Sequence, residues 1–563
     1  MSAVAIAVGS FELEVPLDVA APEAEEEDAY AVVQGLLGSP ELFRSHEGAA
    51  HVTFDDKKRR RSMRIDTDSF RHVVRARFRR ATGKMLSSKV LAEVIEHMVS
   101  NAIVDGPQFE IHRRIAHHDG AILLDLADGT GRVVRITDLT WDVTQVPGVR
   151  FIEDQRCKAL PEPVRGGSIM ELRPFVNVAT DDAFFLFVGF MLTVFRPKPP
   201  YMVLLVNGAQ GSAKSTLTRM VRRILDPGMP EIRPLTDKPE DILIGARFAR
   251  ILAFDNLSGI SAKAADTICS LVTGAGFGTR KFFTNLDEVY TEVSASVVLN
   301  GIDGLAERGD LADRAVHLEL ERIPDTKRRD EASFWAAFEE ARPRILGALC
   351  DAVSMALRRL PTLKLPRAPR MADAALWMSA AEPSLGLPDG TFLDLLEKNR
   401  ASALTATAEA DPVALAVFEL AKVMGLPSKE YTATSLLSDL DARRKCLPPD
   451  RYWPKTPGRL SSRLARAIPA LSHLGVEVER GIRASTKKGE RLIRITYRSP
   501  FSGPPSVGGV SNVVPFAPFD GAKADDGSDA SSSAPSADPS AEVLSGDGDA
   551  DDADAADGMK VRP

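Results

Sequence analysis

The sequence predicts a mixed α/β protein whose central part is a mainly parallel sheet packed between helices. Four apolar segments, 202–207, 249–256, 294–301 and 315–323, alternate with helical patterns in the middle of the chain. Alternation of this kind is typical of a three-layer α/β domain. A mixture of helical and strand patterns precedes this region, and three helical patterns with a strand hairpin follow it.

The chain has 563 residues, which is too many for a single hydrophobic core. Changes in composition divide it into six predicted segments. They are a disordered acidic N-terminus (1–28), an α+β domain of unassigned role (29–160), the α/β domain (161–325), a helical segment (326–410), a basic winged-helix-like domain (411–498) and a disordered acidic tail (499–563).

The negative charge is concentrated at the two ends. The net charge is −7, but residues 1–28 hold eight acidic and no basic residues, and residues 520–563 hold twelve acidic and three basic ones. Residues 29–519 therefore carry +10. A basic body favours a polyanionic partner such as DNA, although solvated tails on an ordinary domain explain the same distribution.

Cysteine content and hydropathy predict a cytoplasmic protein that does not cross a membrane. The four cysteines are far apart and form no C-x-x-C pair, which argues against a zinc site and a disulfide framework. The longest apolar run, 183–195, has 13 residues, whereas a membrane span needs about 20. We interpret it as a buried helix.

In the N-terminal region, residues 68–82 form a predicted helix with a dense basic face. This face is either a nucleic-acid contact or the solvated side of an amphipathic helix. Strand patterns at 120–128 and 131–138 are separated by a turn-like Asp-Gly-Thr-Gly at 128–131.

The segment GAQGSAKST predicts a phosphate-binding loop. Against the pattern G-x-x-x-x-G-K-[ST], it matches except that Ala213 replaces the second glycine. A strand before the loop and a helix after it direct backbone N–H groups at phosphate. Lys214 is expected to reach the β- and γ-phosphates of ATP and Ser215 to ligate Mg²⁺. Ala213 is costly only if its position requires a positive φ or a very close approach of the backbone. The predicted nucleotide contacts are Gly208, Ala209, Gln210, Gly211, Ser212, Ala213, Lys214, Ser215 and Thr216.

Two later strands end in polar residues. Asp255 ends a hydrophobic strand 41 positions after Lys214, and a carboxylate there is expected to hold Mg²⁺ through water. Asn256 stands where a second acid would polarise the attacking water; an amide orients water but does not accept its proton. Asn300 ends the next strand, placed to sense the γ-phosphate.

Arg308 and Arg314 follow the second of these strands. An arginine delivered to a neighbouring subunit's nucleotide stabilises transition-state charge. Each arginine, taken alone, is better explained as a surface or ion-paired residue.

The C-terminal unit combines three helices with a basic hairpin. Asp411 and Pro412 form a predicted helix start, and a later helix beginning at 456–457 carries Arg459, Arg463 and Arg466. From 455 to 498 there are eleven basic and three acidic residues. This pattern predicts a DNA-binding winged helix with Lys487 and Lys488 at the wing; a winged helix used only for protein contacts is the alternative.

The ordered set GAQGSAKST, ILAFDN, LVTGAGFGTRKFFT, VVLNGI and LADRAVHLEL resembles the AAA+ ATPase core of superfamily 3 helicases, of the phage and mobile-element primase-helicase type. The resemblance spans about residues 200–320 and, more weakly, extends to 498. It implies Lys214 and Ser215 at phosphate and Mg²⁺, Asp255 as the acidic magnesium ligand, Asn300 as sensor, and Arg314 as the finger, with Arg308 in reserve. It also implies a hexameric ring on DNA.

Family members often insert a basic hairpin into the DNA channel. The corresponding turn here, 285–288, is acidic, so the expected contact moves to Arg280 and Lys281. The N-terminal sequence shows no zinc-site cysteines and no obvious Asp-x-Asp motif of the polymerase type, so primase activity is not assigned to it.

We therefore predict an ATP- and Mg²⁺-dependent ring ATPase acting on DNA, a helicase-like replication protein of a phage or mobile element. The alternative is a nucleotide-gated DNA-binding or regulatory protein with weak hydrolysis. A metabolite kinase is disfavoured by the Lys214–Asp255 interval, Asn300 and the basic C-terminal unit.

Overall fold

A computed structural model describes most of the chain outside its two ends. The described residues are 26–56, 59–154, 156–274, 276–280, 288–301, 309–424, 428–443, 453–483 and 491–498. The predicted acidic tail at 499–563 and nearly all of the acidic N-terminus lie outside them.

The first sheet lies under helices near the N-terminus. Its elements are α1 (Glu26–Leu37), β1 (Glu41–Ser45), β2 (Ala50–Asp56), β3 (Arg59–Arg64), α2 (Asp68–Thr82), α3 (Ser88–Val104) and β4 (Gln108–Phe109). The strand order is β3-β2-β1-β4. The predicted helix at 68–82 is confirmed, because the Thr67 hydroxyl caps it and Gly83 ends it in the left-handed conformation.

A second, antiparallel sheet follows, in the order β6-β7-β8-β9. The strands in this part are β5 (Ile111–His112), β6 (Ile115–His118), β7 (Ala121–Asp125), β8 (Val133–Ile136), β9 (Trp141–Thr144) and β10 (Arg150–Phe151). Ile122, Val134 and Trp141 are buried in the same core as Phe187 and Leu349. The second sheet thus packs against the central part of the chain, although the sequence had grouped it with the N-terminal domain; the domain boundaries themselves stay predictions.

The central region is built on a parallel sheet with the strand order β12-β15-β11-β16. Its elements are α4 (Asp181–Val194), β11 (Val203–Gly208), α5 (Lys214–Leu225), α6 (Pro239–Ala246), β12 (Ile251–Leu257), α7 (Ala262–Thr273), β13 (Gly276–Arg280), β14 (Glu288–Glu292), β15 (Ser296–Gly301), α8 (Gly309–Ala312) and β16 (Ala315–Leu320). Its strands contribute side chains to two separate cores, one on each face. The mixed α/β architecture with a parallel sheet agrees with the sequence prediction, and α4 is the buried helix expected at 183–195.

The C-terminal part begins with helices and ends in a small sheet. The elements are α9 (Glu331–Arg359), α10 (Ala372–Ala381), α11 (Thr391–Ala410), α12 (Pro412–Val423), β17 (Ser428–Thr432), α13 (Ala433–Arg443), α14 (Pro457–His473), β18 (Val476–Arg483) and β19 (Arg491–Tyr497). The sheet has the order β17-β19-β18. Asp411 and Thr456 cap α12 and α14 as predicted. Strand β17 was not predicted from the sequence. The assignment of this unit as a winged helix stays a prediction.

Within the described part of the chain, no helix is both long and apolar enough to span a bilayer.

Candidate functional site

The candidate site lies at the carboxyl edge of the parallel sheet. In the strand register, Val206 lies beside Asn300, and Phe254, which precedes Asp255, lies beside Leu299. Parallel strands end at the same edge, so the loop after β11 meets the polar ends of β12 and β15 there. The Ser215 hydroxyl donates to Asp255 Oδ1 at 2.9 Å, which joins the two predicted magnesium ligands directly.

The loop at residues 208–213 turns tightly between β11 and α5. Three of its residues have positive φ: Gly208 (146°), Gly211 (83°) and Ala213 (68°). A Cβ on Gly208 would lie 2.5 Å from the carbonyl oxygen of Leu320. Ala213 therefore occupies the left-handed region that the missing glycine would adopt freely, at a cost of about 1–2 kcal/mol.

Lys214 folds back over this loop. Its Nζ donates to the carbonyl oxygens of Gly208 at 2.5 Å and Ala209 at 3.0 Å. The ammonium therefore lies against the backbone of the loop, with exposed Ala209 and Gln210 beside it. Thr216, in the first turn of α5, is half-buried.

Ser212 is the buried member of the loop. Its carbonyl oxygen accepts a hydrogen bond from Asn177 Nδ2 at 3.1 Å, and the same amide group donates to the carbonyl oxygen of Glu321 at 2.6 Å. The Ser212 hydroxyl and the Asn207 amide oxygen are buried without a partner among the described residues. Asn177 thus ties the loop to the end of β16.

Asn300 is fully buried and forms hydrogen bonds at both ends of its amide. Its Oδ1 accepts from the Asn256 backbone N–H at 3.0 Å, and its Nδ2 donates to Thr218 Oγ1 at 2.7 Å. The Thr218 hydroxyl in turn donates to the carbonyl oxygen of Lys214 at 3.0 Å. Asn300 connects α5 to the end of β12 through side chains, an internal role that sequence reasoning missed. Its sensor role stays a prediction.

Asn256 follows Asp255 in a strained position. It has a left-handed backbone (φ 58°) at an irregularity in β12, and its side chain is exposed. Its N–H donates to Asp255 Oδ1 at 2.9 Å as well as to Asn300. Asparagine tolerates this backbone region better than most residues. The side chain that follows Asp255 at the mouth of the site is therefore an amide and not a second carboxylate.

Arg314 lies at the opposite edge of the sheet. Its carbonyl oxygen accepts from the N–H of Val203, the first residue of β11, at 3.0 Å. Leu320, which lies beside Gly208 at the other end of β16, is six positions further along the chain, or about 20 Å of extended chain. Arg314 donates to the Asp310 carbonyl oxygen at 2.7 Å. It is not part of the site of its own subunit, and action on a neighbour stays a prediction. Arg308 lies outside the described residues.

Arg328 is a further residue at the loop that the sequence motifs did not indicate. Its Nη2 lies 3.0 Å from where a Cβ of Gly211 would be. Asp325 holds the guanidinium at 3.1 Å, and half of the side chain is exposed. The Ile323 N–H also donates to the Gly211 carbonyl oxygen at 3.3 Å. The segment after β16 thus brings a second cation to the loop; its basic run Lys327–Arg329 was the only available sequence signal.

Two regions of the chain match known families. Residues 169–387 match the model of the actinomycete integrative conjugative element replication protein, and residues 413–507 match the model of the C-terminal domain of the same protein. Together they cover 314 of the 563 residues, in the expected order. Both regions are therefore similar to replication proteins of actinomycete integrative conjugative elements. The function is therefore related to replication, which agrees with the coarser part of the prediction.

A search of curated proteins gave no match. Among solved structures, the C-terminal region of NrS-1 in its apo form is 11% identical, covering 84% of this chain and 100% of that one with a TM-score of 0.34. JCV helicase bound to a small organic molecule is 13% identical, covering 40% of this chain and 66% of that one with a TM-score of 0.20.

The second matched region of this replication protein holds most of the predicted DNA contacts. Arg459 and Arg466 are exposed on α14. Arg463 instead pairs with Asp411, the cap of α12, at 3.2 Å. Lys487 and Lys488 lie outside the described residues, as does Lys281; for Arg280 only the backbone, in β13, is described. The structure thus assigns Arg463 a structural contact and leaves the other positions as predictions.

Proposed function

We propose that this replication protein is an ATP-binding, Mg²⁺-dependent ATPase that acts on DNA as a ring, with helicase-like activity. The observation that carries the proposal is the hydrogen bond between Ser215 and Asp255 beside the loop at 208–213. It places a hydroxyl and a carboxylate, both oxygen ligands that Mg²⁺ prefers, next to backbone N–H groups at the start of α5.

The residues of the loop fit a bound polyphosphate. At Gly208 and Gly211, where φ is positive, the loop presents backbone groups without a side chain. The Ser212 hydroxyl is buried without a partner. Lys214 and Arg328 supply positive charge on two sides of the loop. These features support ATP as the ligand.

Each residue has a role that follows from its position. Lys214, now bonded to loop carbonyls, would exchange them for β- and γ-phosphate oxygens. Ser215 and Asp255 would hold Mg²⁺, which supplies charge neutralisation at the phosphates when bound. Asn256 would orient water at the mouth of the site. Asn300, through the Asn256 N–H and Thr218, would couple the end of β12 to α5.

The position of Arg314 supports the oligomeric part of this proposal. Because about 20 Å of β16 separates it from the loop of its own subunit, it reaches a nucleotide only across a subunit interface. Its bonds to Asp310 would then be exchanged for phosphate contacts. A closed ring, hexameric by the family resemblance, gives every subunit such a neighbour.

The test is ATP hydrolysis by the full chain with and without single-stranded DNA, together with sizing in a slowly hydrolysed ATP analogue. We expect DNA-stimulated turnover and a nucleotide-dependent oligomer, both lost in Lys214→Ala. Lys263→Ala, an exposed lysine on α7, is the matched control and should behave as wild type. Wild-type protein that neither binds nor hydrolyses ATP would contradict the proposal.

A second function is favoured by Asn256 alone. With an amide in place of the second acid, nucleotide binding would assemble subunits on DNA while hydrolysis stays slow. Asn256→Asp tests this possibility, since aspartate also tolerates the left-handed backbone. Increased turnover in the variant, with unchanged assembly, supports a nucleotide-gated DNA-binding protein. Rapid wild-type turnover that the substitution does not increase argues against it.

A further inference from the structure

A cavity of about 590 Å³ opens at the amino edge of the parallel sheet. One wall comes from residues that precede the sheet strands, including Tyr201, Arg250 and Ser294. The other comes from the N-terminal region, including Arg64 and His112. Since the loop at 208–213 lies at the carboxyl edge, the cavity is separate from the candidate nucleotide site.

Phe248 lies in this cavity between two arginines. Its side chain is 38% exposed, and it is the only exposed aromatic residue in the described part of the chain. The guanidinium carbon of Arg156 lies 3.5 Å from the ring centroid, and that of Arg113 lies 5.1 Å from it. An exposed ring with adjacent guanidinium planes is the arrangement on which unpaired bases stack.

Arg113 is the least satisfied charge in the cavity. Among the described residues its guanidinium has the contact with Phe248 and no hydrogen bond or ion pair. Burial lowers its pKa from the usual value. A half-buried guanidinium without a hydrogen-bond partner is costly unless a ligand supplies an anion. Its five N–H donors match a phosphate group.

Five arginines and five carboxylates line the cavity, and ion pairs neutralise several of them. Arg64 pairs with Asp66 at 2.5 Å and Arg156 with Asp154 at 2.8 Å, while Glu153 pairs with Arg61. Arg250 donates to the carbonyl oxygens of Val194 and Arg196, so no carboxylate neutralises it. Exposed Glu47 and Glu110 line the same cavity as Arg113.

We propose that this cavity binds single-stranded DNA, with a base stacked on Phe248 and a phosphate held by Arg113. Val293 and Ser294, at the foot of the β13–β14 hairpin, line the same cavity, so a strand bound there continues toward the hairpin. The proposal rests on the DNA-acting part of the proposed function and goes beyond it, because neither Phe248 nor Arg113 belongs to any recognised motif.

The test is the affinity of the full chain for a fluorescent oligo-dT strand, measured by anisotropy over a range of salt concentrations. Phe248→Ala should weaken binding about tenfold, and Phe248→Trp should restore it, because stacking contributes about 1–3 kcal/mol per base. Arg113→Ala should weaken binding and reduce the salt slope by about 0.7. Ile244→Ala, an exposed residue of α6 outside the cavity, should leave affinity unchanged.

The outcomes separate this inference from the proposed function. If the wild-type protein does not bind oligo-dT, both the DNA-acting function and the inference fail. If the wild type binds and Phe248→Ala and Arg113→Ala bind equally well, the inference alone fails. If Phe248→Ala changes the size of the oligomer and leaves DNA affinity intact, the cavity is a subunit contact and the inference is wrong.

Discussion

Ser215 and Asp255, 40 positions apart in the chain, are joined by a hydrogen bond of 2.9 Å between Oγ and Oδ1. The contact exists because β11 and β12 run parallel, with β15 between them, so both strands end at the same edge of the sheet. Asp255 Oδ1 also accepts from the N–H of Asn256, which fixes the orientation of the carboxylate. The pair is thus held in place before any cation binds.

Asp255→Asn should abolish Mg²⁺-dependent ATP hydrolysis while the fold is retained. The amide can still accept the Ser215 hydrogen bond, but it lacks the charge that holds a divalent cation. We expect at least about a 100-fold loss of turnover, with thermal unfolding close to wild type. Asp266→Asn, on α7 away from the loop, is the control. Wild-type turnover in Asp255→Asn would exclude this carboxylate as a metal ligand.

Ala213→Gly should increase stability. Alanine at φ 68° carries a strain of about 1–2 kcal/mol, which the substitution relieves. Glycine offsets about 0.4–1 kcal/mol of this gain, because it increases the conformational entropy of the unfolded chain. The expected net gain in the free energy of unfolding is roughly 0.5–1 kcal/mol, measured by urea denaturation. Ala209→Gly, which is not in the left-handed region, should instead destabilise. A loss of stability in Ala213→Gly would refute the strain argument.

Sequence reasoning predicted the elements that carry local signals. Asp411 and Thr456 were readable as helix starts because their side chains accept from backbone N–H groups a few residues ahead. The meeting of Ser215 with Asp255 followed from parallel strands. These features depend on the types of residues and their spacing along the chain, which can be read from the sequence.

The features that sequence reasoning missed depend on tertiary packing. The second sheet joins the central core partly through Trp141, whose Nε1 donates to Asp351 at 2.8 Å across 210 positions. Strand β17 is short and mostly exposed, SKEYT, so it lacks an alternating pattern. The approach of Arg328 to Gly211 depends on the path of the chain after β16, which no motif specifies.

Arg328→Ala should weaken ATP binding. Its guanidinium lies against Gly211 and is held by Asp325, so it would contact a phosphate bound in the loop with little movement. Charge-assisted hydrogen bonds contribute about 1.5–3 kcal/mol, which corresponds to a loss of about tenfold or more in affinity. Arg328→Lys should recover part of it. The neighbouring exposed Arg329→Ala is the control, and equal affinity in the two alanine variants would contradict the role.

Acid should destabilise the N-terminal sheet through His51. The residue is 2% exposed, its Nδ1 lies 2.9 Å from the Ala49 carbonyl oxygen, and burial lowers its pKa to about 4. The unfolded chain, with a pKa near 6.5, binds the proton more readily. The contribution of neutral His51 to the free energy of unfolding is therefore complete above pH 6.5. It declines as the pH falls toward 4, by up to roughly 3 kcal/mol. Urea unfolding at pH 7 and pH 5 should show a smaller decline in His51→Gln. An identical decline in both proteins would contradict this assignment, and His72→Gln, on the exposed side of α2, is the control.

Arg459, Arg463 and Arg466 share α14 but should respond differently to alanine. Arg463 contacts Asp411, which caps α12 through the Val413 N–H at 2.8 Å, so its loss should lower the free energy of unfolding by about 1 kcal/mol. Arg459 and Arg466 are exposed, so their removal should change stability by less than about 0.5 kcal/mol.

If α14 lies against a DNA duplex, the alanine substitutions of Arg459 and Arg466 should each weaken duplex binding and reduce the salt slope by about 0.9. Unfolding curves and anisotropy on the same variants separate the two effects. Unchanged duplex affinity in the Arg459→Ala, Arg466→Ala double variant would leave the C-terminal unit as a protein-contact module, because α14 would then carry exposed charge without a DNA partner.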